Sequence, residues 1–327
     1  MSISGFLFAA FSVFLWGTTF VSTKALLNDF SAAEILVLRF LIAYIGLWAI
    51  CPRRLRVKDR IDELWFALAG LSGIAVYQLL ENLAIQYTNA SNVSIIVSVC
   101  PIFTALSCQL FLRQKNITWR FLLGFAIAIF GIALVSLNGI STFHFHPTGD
   151  ILALAAAFVW GFFGLFTSLF GRHGYSPLAA TRRVFFYALL FMVPIVVAGT
   201  FFVPAESDFF FDFSCAGNAA RFSSPSNWLN GLYLGLLASA GCFASWNRAC
   251  ERLGTVRANI GLYLVPVITL VFANLFLGER LSSIGILGAL CTLAGVILST
   301  FHPAGRPATK GDSASSEPFN GERHMIK

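Results

Sequence analysis

Three arginines and one glutamate stand inside otherwise apolar stretches of a chain in which only 11% of residues are charged: Arg39, Arg182, Arg183 and Glu81. An ionisable side chain in a membrane-spanning helix costs at least about 2.5–3.5 kcal/mol on insertion scales, so each is a candidate for handling substrate or ions. A guanidinium presents a rigid fork of N–H donors that matches a carboxylate. Arg39 is therefore read as a cavity residue, although at about two turns from a helix end it could also snorkel. Arg182 and Arg183 are adjacent and point about 100° apart on a helix. Arg183 is assigned the orientation of Arg39, and Arg182 is left to lipid headgroups or Glu251. Glu81 has two readings. It could release and rebind a proton, coupling transport to a gradient, or it could form a structural ion pair with Lys24 and Arg39 at comparable depth. The structural pair is the expectation adopted, because Glu81 has no acidic counterpart in the second half of the chain.

Around these charges lie polar groups suited to recognition. Asn82 and Asn247 could hydrogen-bond a substrate, or tie helices together at about 0.6 kcal/mol each. Trp16, Tyr77, Trp160, Trp246 and Tyr263 carry polar tips in apolar segments, whereas Trp65, Trp119 and Trp228 sit near segment starts and read as interfacial anchors. Pro101 and Pro266 interrupt two helices at matching points, where freed carbonyls could face a cavity. The expected substrate pathway is thus Trp16, Arg39, Tyr77, Glu81, Asn82, Trp160, Arg183, Trp246, Asn247 and Tyr263, with Pro101 and Pro266 as hinges.

Catalytic patterns are weak by comparison. GLSG, Gly70 to Gly73, has the form of an intramembrane serine nucleophile, but such a serine needs a general base in reach. All five histidines fall in loops or the tail. His144 and His146 are too few ligands for a metal site. Neither a P-loop nor H-E-x-x-H occurs. No catalytic residue, metal or cofactor is expected. A receptor or scaffold without transport is the other alternative.

The elements that must position these residues are membrane helices. The chain has 327 residues, 57% of them hydrophobic, and a mean hydropathy of +0.78; a soluble domain would carry about 25% charged residues. Many apolar blocks approach the ~20 residues that cross a bilayer core. Ten spans are predicted, at 4–26, 32–51, 63–86, 91–112, 117–137, 149–170, 178–202, 228–250, 256–277 and 282–301. Of the 22 Lys and Arg, sixteen then fall on the side of the termini and three, Lys24, Arg221 and Arg280, on the other. The positive-inside rule places both termini in the cytoplasm, for a multi-pass protein of the plasma (inner) membrane. The first span lacks a basic n-region and a cleavage site, so it reads as a helix and not a signal peptide. Seven cysteines occur, but only Cys215 lies in an outer loop, so no intrachain bridge is expected there. Residues 302–327 are rich in Ser, Gly and Pro and read as a disordered cytoplasmic tail.

The chain is also written twice. FLWG (Phe14 to Gly17) returns as FVWG (Phe158 to Gly161), and a shift of 144 also pairs Gly5 with Gly149 and Arg39 with Arg183. From the third span a shift of 165 pairs Gly70 with Gly235, Asn82 with Asn247 and Pro101 with Pro266, and it sets Trp246 opposite Glu81. In the fifth span the shift is 164, pairing Gly124 with Gly288 and Gly131 with Gly295. The jump reflects an outer-loop insertion at 203–226. Two units, 1–141 and 142–301, each hold five spans. Because five is odd, the second must enter the membrane from the opposite face, the inverted-repeat construction of secondary transporters. The fold class expected is an all-α membrane protein of ten transmembrane helices in two inverted five-helix repeats.

Ten spans, WG in the first helix of each half, Arg early in the second, and the stretches YTNASNVSIIVSVCPIFTAL and LGTVRANIGLYLVPVITLVFANLFLGERL resemble the EamA type of the drug/metabolite transporter superfamily. The first half departs from the pattern with LRQKN (112–116) where the second has LGERL (277–281). The resemblance implies export or exchange of small metabolites, amino acids or related compounds or drugs, by alternating access. The expected partners are a small-molecule substrate and the lipid bilayer, with protons as the coupling ion if Glu81 titrates, and no nucleic acid.

Overall fold

Apolar blocks bounded by caps and turns fold here into helices alone. The computed structural model describes residues 3–112, 118–137, 147–202, 219–253, 261–280 and 282–300. In chain order the helices are α1 (Ile3–Leu26), α2 (Ala32–Ile50), α3 (Arg60–Tyr87), α4 (Ala90–Leu112), α5 (Trp119–Leu137) and α6 (Pro147–Gly171). There follow α7 (Pro177–Phe202), the short α8 (Ala219–Ser223), α9 (225–253), α10 (Gly261–Leu277) and α11 (Ser283–Thr300). Six of them, α1 to α4, α6 and α7, are long and apolar enough to cross a membrane, and α5, α10 and α11 are shorter apolar helices. The protein is an all-α membrane protein. The expected tail (302–327), His144, His146, Cys215 and most of the 203–226 loop lie outside the described residues; the six described cysteines are free thiols.

Local chemistry sets the helix ends. Ser31 opens α2 with a capping box: the Glu34 N–H donates to Ser31 Oγ (3.2 Å) and the Ser31 N–H to Glu34 Oε2 (2.8 Å). Asp59 accepts from the Ile61 N–H at the start of α3 (3.2 Å). Gly278, at φ +68°, ends α10 with the left-handed turn that glycine adopts without steric cost.

Two faces result. On one, the terminal face, Arg252 bonds Ser4, Arg182 bonds the carbonyls of Cys51 and Arg53, and Lys58 bonds His173 and Tyr175. On the other, the distal face, Lys24 bonds the carbonyls of Ile85 and Thr88, and Arg221 grips Glu34 through two N–H···O contacts of 2.8 and 3.1 Å.

Contacts between the halves are reciprocal. A Cβ on Gly17 would stand 2.6 Å from Ile268, and one on Gly161 would stand 2.8 Å from Phe103. Those two contacts exchange under the sequence shifts, which pair Gly17 with Gly161 and Phe103 with Ile268. Gly5 against Leu253 and Gly149 against Thr88, each 2.8 Å, exchange in the same way. Along α5 and α11 the backbones themselves touch: a Cβ on Gly124 would meet the Gly295 carbonyl at 2.5 Å, and one on Gly288 the Gly131 carbonyl at 2.8 Å. Small residues permit this approach in a bilayer, where close packing replaces the hydrophobic effect as the cohesive force.

Irregular turns recur at matching places as well. α3 carries a π-helical stretch at Gly70–Val76 and α9 one at Tyr233–Gly241. α4 relaxes into a turn at Ser98 and Val99 before Pro101, and α10 begins as a 3₁₀ turn, Gly261–Leu264, before Pro266.

Candidate functional site

The proline turns and the segments that follow the π-helical stretches border one cavity. It has a volume of about 70 Å³ and is walled by Trp16 and Phe20 of α1, Tyr77 of α3, Trp160 of α6 and Phe243 of α9. Ser94, Ser98, Pro101 and Pro266 form its remaining sides, and Arg39, Gln78 and Glu81 supply its charge and polarity. Tyr77 and Gln78 follow directly on the π stretch of α3, and Ser239 lies within that of α9. A π turn adds a residue to the helix, and these two aim polar side chains at one point.

That point is Arg39. Its side chain is 2% exposed. Its Nε–H donates to Ser239 Oγ (2.6 Å) and its Nη1 to Gln78 Oε1 (2.7 Å), so the guanidinium is fixed by neutral partners. Glu81, also buried, hydrogen-bonds Tyr77 and is attracted to Arg39 through the cavity without an ion pair within 4 Å. One cation and one anion thus share an aromatic enclosure with unfilled space.

The expected triad of Glu81, Lys24 and Arg39 does not form. Lys24, in the last turn of α1, donates instead to the carbonyls of Ile85 (2.5 Å) and Thr88 (2.9 Å). Those carbonyls end α3, where a helix leaves its acceptors unpaired and its dipole favours a cation.

Arg183 is also corrected: it does not line the cavity. It donates to Glu63 Oε1 on the terminal face, an oxygen that Tyr187 also contacts, and its Cζ lies 5.5–5.7 Å from the Tyr187 and Phe186 rings. The sequence shift pairs Arg183 with Arg39, but their partners differ. Ile74 stands where Ser239 would be, and Phe243 stands opposite Gln78, so only Arg39 finds polar groups inside. Arg182 bonds the Cys51 and Arg53 carbonyls, while Glu251 pairs with Arg248 (2.8 Å), so that pairing is also revised.

The paired asparagines tie helices: Asn82 Nδ2 donates to the Ala32 carbonyl (3.1 Å) and Asn247 Nδ2 to Thr181 Oγ1 (2.7 Å). Tyr263 is buried beside the wall residue Leu262. Trp246 packs on Trp16 with ring centroids 5.2 Å apart. Trp246 and Asn247 line a second, larger space of about 520 Å³ that runs along α6 and α9 to Arg172, Tyr175 and Glu251 at the terminal face. Trp160 borders both spaces. With Trp16 (6.5 Å between centroids) and Tyr77 (4.6 Å) it forms the aromatic partition between vestibule and cavity.

Ser72 of GLSG donates back to the Leu68 carbonyl (2.8 Å), and the described histidine, His173, sits on the terminal face against Asp62 (2.6 Å). Among the described residues no group of three His, Cys, Asp or Glu could hold a metal. Gln78 and Ser239 were not anticipated. Gln78 had a signal, its place three residues before Glu81 on the same helix face; Ser239 had none.

Comparison with known proteins follows the same outline. The pattern defining the EamA-like transporter family matches residues 3–137 and 147–301. A probable terminal-alkyne amino-acid exporter of Streptantibioticus cattleyicolor is 29% identical over 297 residues, covering 90% of this chain and 93% of the relative. A probable amino-acid metabolite efflux pump of Escherichia coli is 25% identical over 305 residues, covering 91% and 95%. One solved crystal structure superposes with a TM-score of 0.60 over 92% of this chain and 97% of that one, at 16% identity, a likeness of fold alone.

Proposed function

The chain belongs to the EamA-like transporter family and is a secondary transporter of small metabolites, and from that premise we propose that it exports amino acids or closely related compounds by alternating access. One observation carries the substrate class: Arg39 and Glu81 face a single aromatic-walled cavity and make no ion pair with each other. A zwitterion satisfies both. Its carboxylate takes the guanidinium fork, its ammonium takes Glu81, and its side chain lies on the Trp and Tyr faces, which also attract cations. The amino-acid exporters among its relatives support the same class.

The reading requires two equivalent packings of one chain. Reciprocal glycine contacts and the matched π stretches support two inverted five-helix units, 1–141 and 142–301, and ten membrane crossings. The vestibule supports a resting state open to the terminal face. The basic bias of the loops supports a cytoplasmic terminal face in the plasma (inner) membrane. Protons drive the cycle through Glu81, the carboxylate inside the cavity.

Purified protein in liposomes, loaded with a panel of radiolabelled amino acids, drugs and anionic metabolites, tests the function. Faster release of zwitterions than from empty liposomes is the expected result. Flux at the empty-liposome rate across the whole panel would remove the transport reading. Orientation is tested separately in cells, in a background lacking Cys215. A membrane-impermeant maleimide should reach Ser224→Cys from outside and should not reach Arg56→Cys until the membrane is opened; the reverse pattern inverts the topology.

A further inference from the structure

On the distal side of the cavity the end of α10 is fastened to the start of α4. Glu279 follows Gly278, whose left-handed turn reverses the chain at the end of α10. The reversal carries the carboxylate across to the start of α4. There Oε1 accepts from the Ala90 N–H (3.0 Å), and Oε2 accepts from the Ser91 N–H (3.0 Å) and the Ser91 hydroxyl (2.6 Å). A carboxylate on three donors at a helix N-terminus makes charge-assisted bonds and is favoured by the helix dipole. The Asn274 side chain holds the Glu279 carbonyl from behind (3.1 Å). Glu279 also acts electrostatically on Lys24, whose ammonium closes on the last carbonyls of α3. One acid from the second half and one base from the first therefore stitch α1, α3, α4 and α10 together.

Behind this stitch lie polar atoms with nothing to bond. Thr23, fully buried, and Asn92, 3% exposed, each leave a side-chain oxygen without a hydrogen-bond partner. They lie in α1 and the first turn of α4, helices that pack together. Buried unpaired polar groups destabilise the state that holds them, and one in which water reaches them is relieved of that cost. A seam lined this way opens unless something fastens it.

We propose that Glu279 is the latch of the distal gate: its carboxylate holds α4 against α10 while the vestibule is open to the terminal face, and its release parts α1 from α4 past Thr23 and Asn92. This gives the departure noted between LGERL and LRQKN a physical meaning. At the place matching Glu279 the first half has Gln114, a neutral amide that cannot make a charge-assisted cap. The terminal face, where the matching residue is neutral, is the one with the wide vestibule.

The inference rests on the alternating-access reading, and its test needs no substrate, so failure of the latch leaves the transport reading standing. In the full-length protein carrying Asn92→Cys, the rate of maleimide modification at that cysteine is read by peptide mapping, with Ser107→Cys as a control site. Ser107 is buried toward the terminal face, bonded to the Gly161 carbonyl (2.7 Å). Adding Glu279→Gln should speed modification at position 92 by about tenfold or more, the scale of lost charged hydrogen bonds, and leave position 107 within about twofold. Ser91→Ala, which removes one of the three donors' side chains and keeps the charge, should give a smaller rise and serves as the test if Glu279→Gln does not fold. An unchanged rate at position 92 overturns the latch. Equal acceleration at both positions also overturns it, because it makes Glu279 a general stabiliser.

Discussion

Replacing Arg39 by Gln should lower the apparent affinity for carboxylate-bearing substrates by about 10- to 100-fold, the worth of hydrogen bonds to a buried charged group. The guanidinium is held by Ser239 and Gln78 from neutral oxygens, so its charge is left for the ligand. Gln is shorter, keeps a single amide donor group and has neither the charge nor the fork. Substrates lacking a carboxylate should lose far less, which separates recognition from damage to the fold. Arg183→Gln is the contrast: it breaks a terminal-face pair with Glu63, so it should lower thermal stability modestly and change flux by less than about twofold. Equilibrium binding and liposome flux on both variants decide the matter. Equal loss of carboxylate and non-carboxylate substrates with Arg39→Gln would remove Arg39 from recognition.

Glu81→Gln should leave the fold near wild-type stability and abolish proton-driven accumulation, with downhill exchange retained. The sequence alone suggested the opposite, a structural carboxylate whose removal strands a buried cation. That argument needs a direct ion partner. Lys24 is bonded to helix-end carbonyls and Arg39 to neutral side chains, so neither guanidinium nor ammonium is left without hydrogen bonds when Glu81 is neutralised. Removing the partner of a buried pair costs about 3–5 kcal/mol, and a loss of that size should be absent. Thermal melting together with flux under an imposed pH gradient is the measurement. A large drop in melting temperature that Arg39→Gln restores would return Glu81 to a structural role.

What could be read from residues alone followed from cost. Trp16, Arg39, Tyr77, Glu81 and Trp160 stand out because polar or charged groups in apolar helices need a reason, and all five line the cavity. The recurring glycines were legible because glycines at close contacts admit few substitutes, and Gly17, Gly161, Gly124 and Gly288 stand at such contacts. Arg183 went astray because a sequence shift aligns backbones and is silent on partners; two substitutions nearby, Ile74 and Phe243, empty its side of polar groups. The Lys24 pairing went astray because depth along a helix fixes level but not direction, and the acceptors it found are main-chain carbonyls, identical in every residue.

The π-helical stretch at Gly70–Val76 carries a consequence for how this helix can change. A π turn behaves as one spare residue taken up inside an α-helix, and each residue of an α-helix advances the face by about 100°. Were the stretch to close into ordinary helix with that residue retained, the residue would join the regular progression and lengthen the helix by only about 1.5 Å. Everything beyond it would then swing by about a third of a turn relative to everything before it. Trp65 and Phe66 would keep their packing against α6 while Tyr77, Gln78 and Glu81 rotated out of the cavity together. The same holds for Phe243, which lies beyond the π stretch of α9. Helix phase, set by a single π turn at each of two places, is thus a coarse dial on what faces the substrate: closing one turn would redraw the chemistry of the binding chamber without altering any residue of the chain.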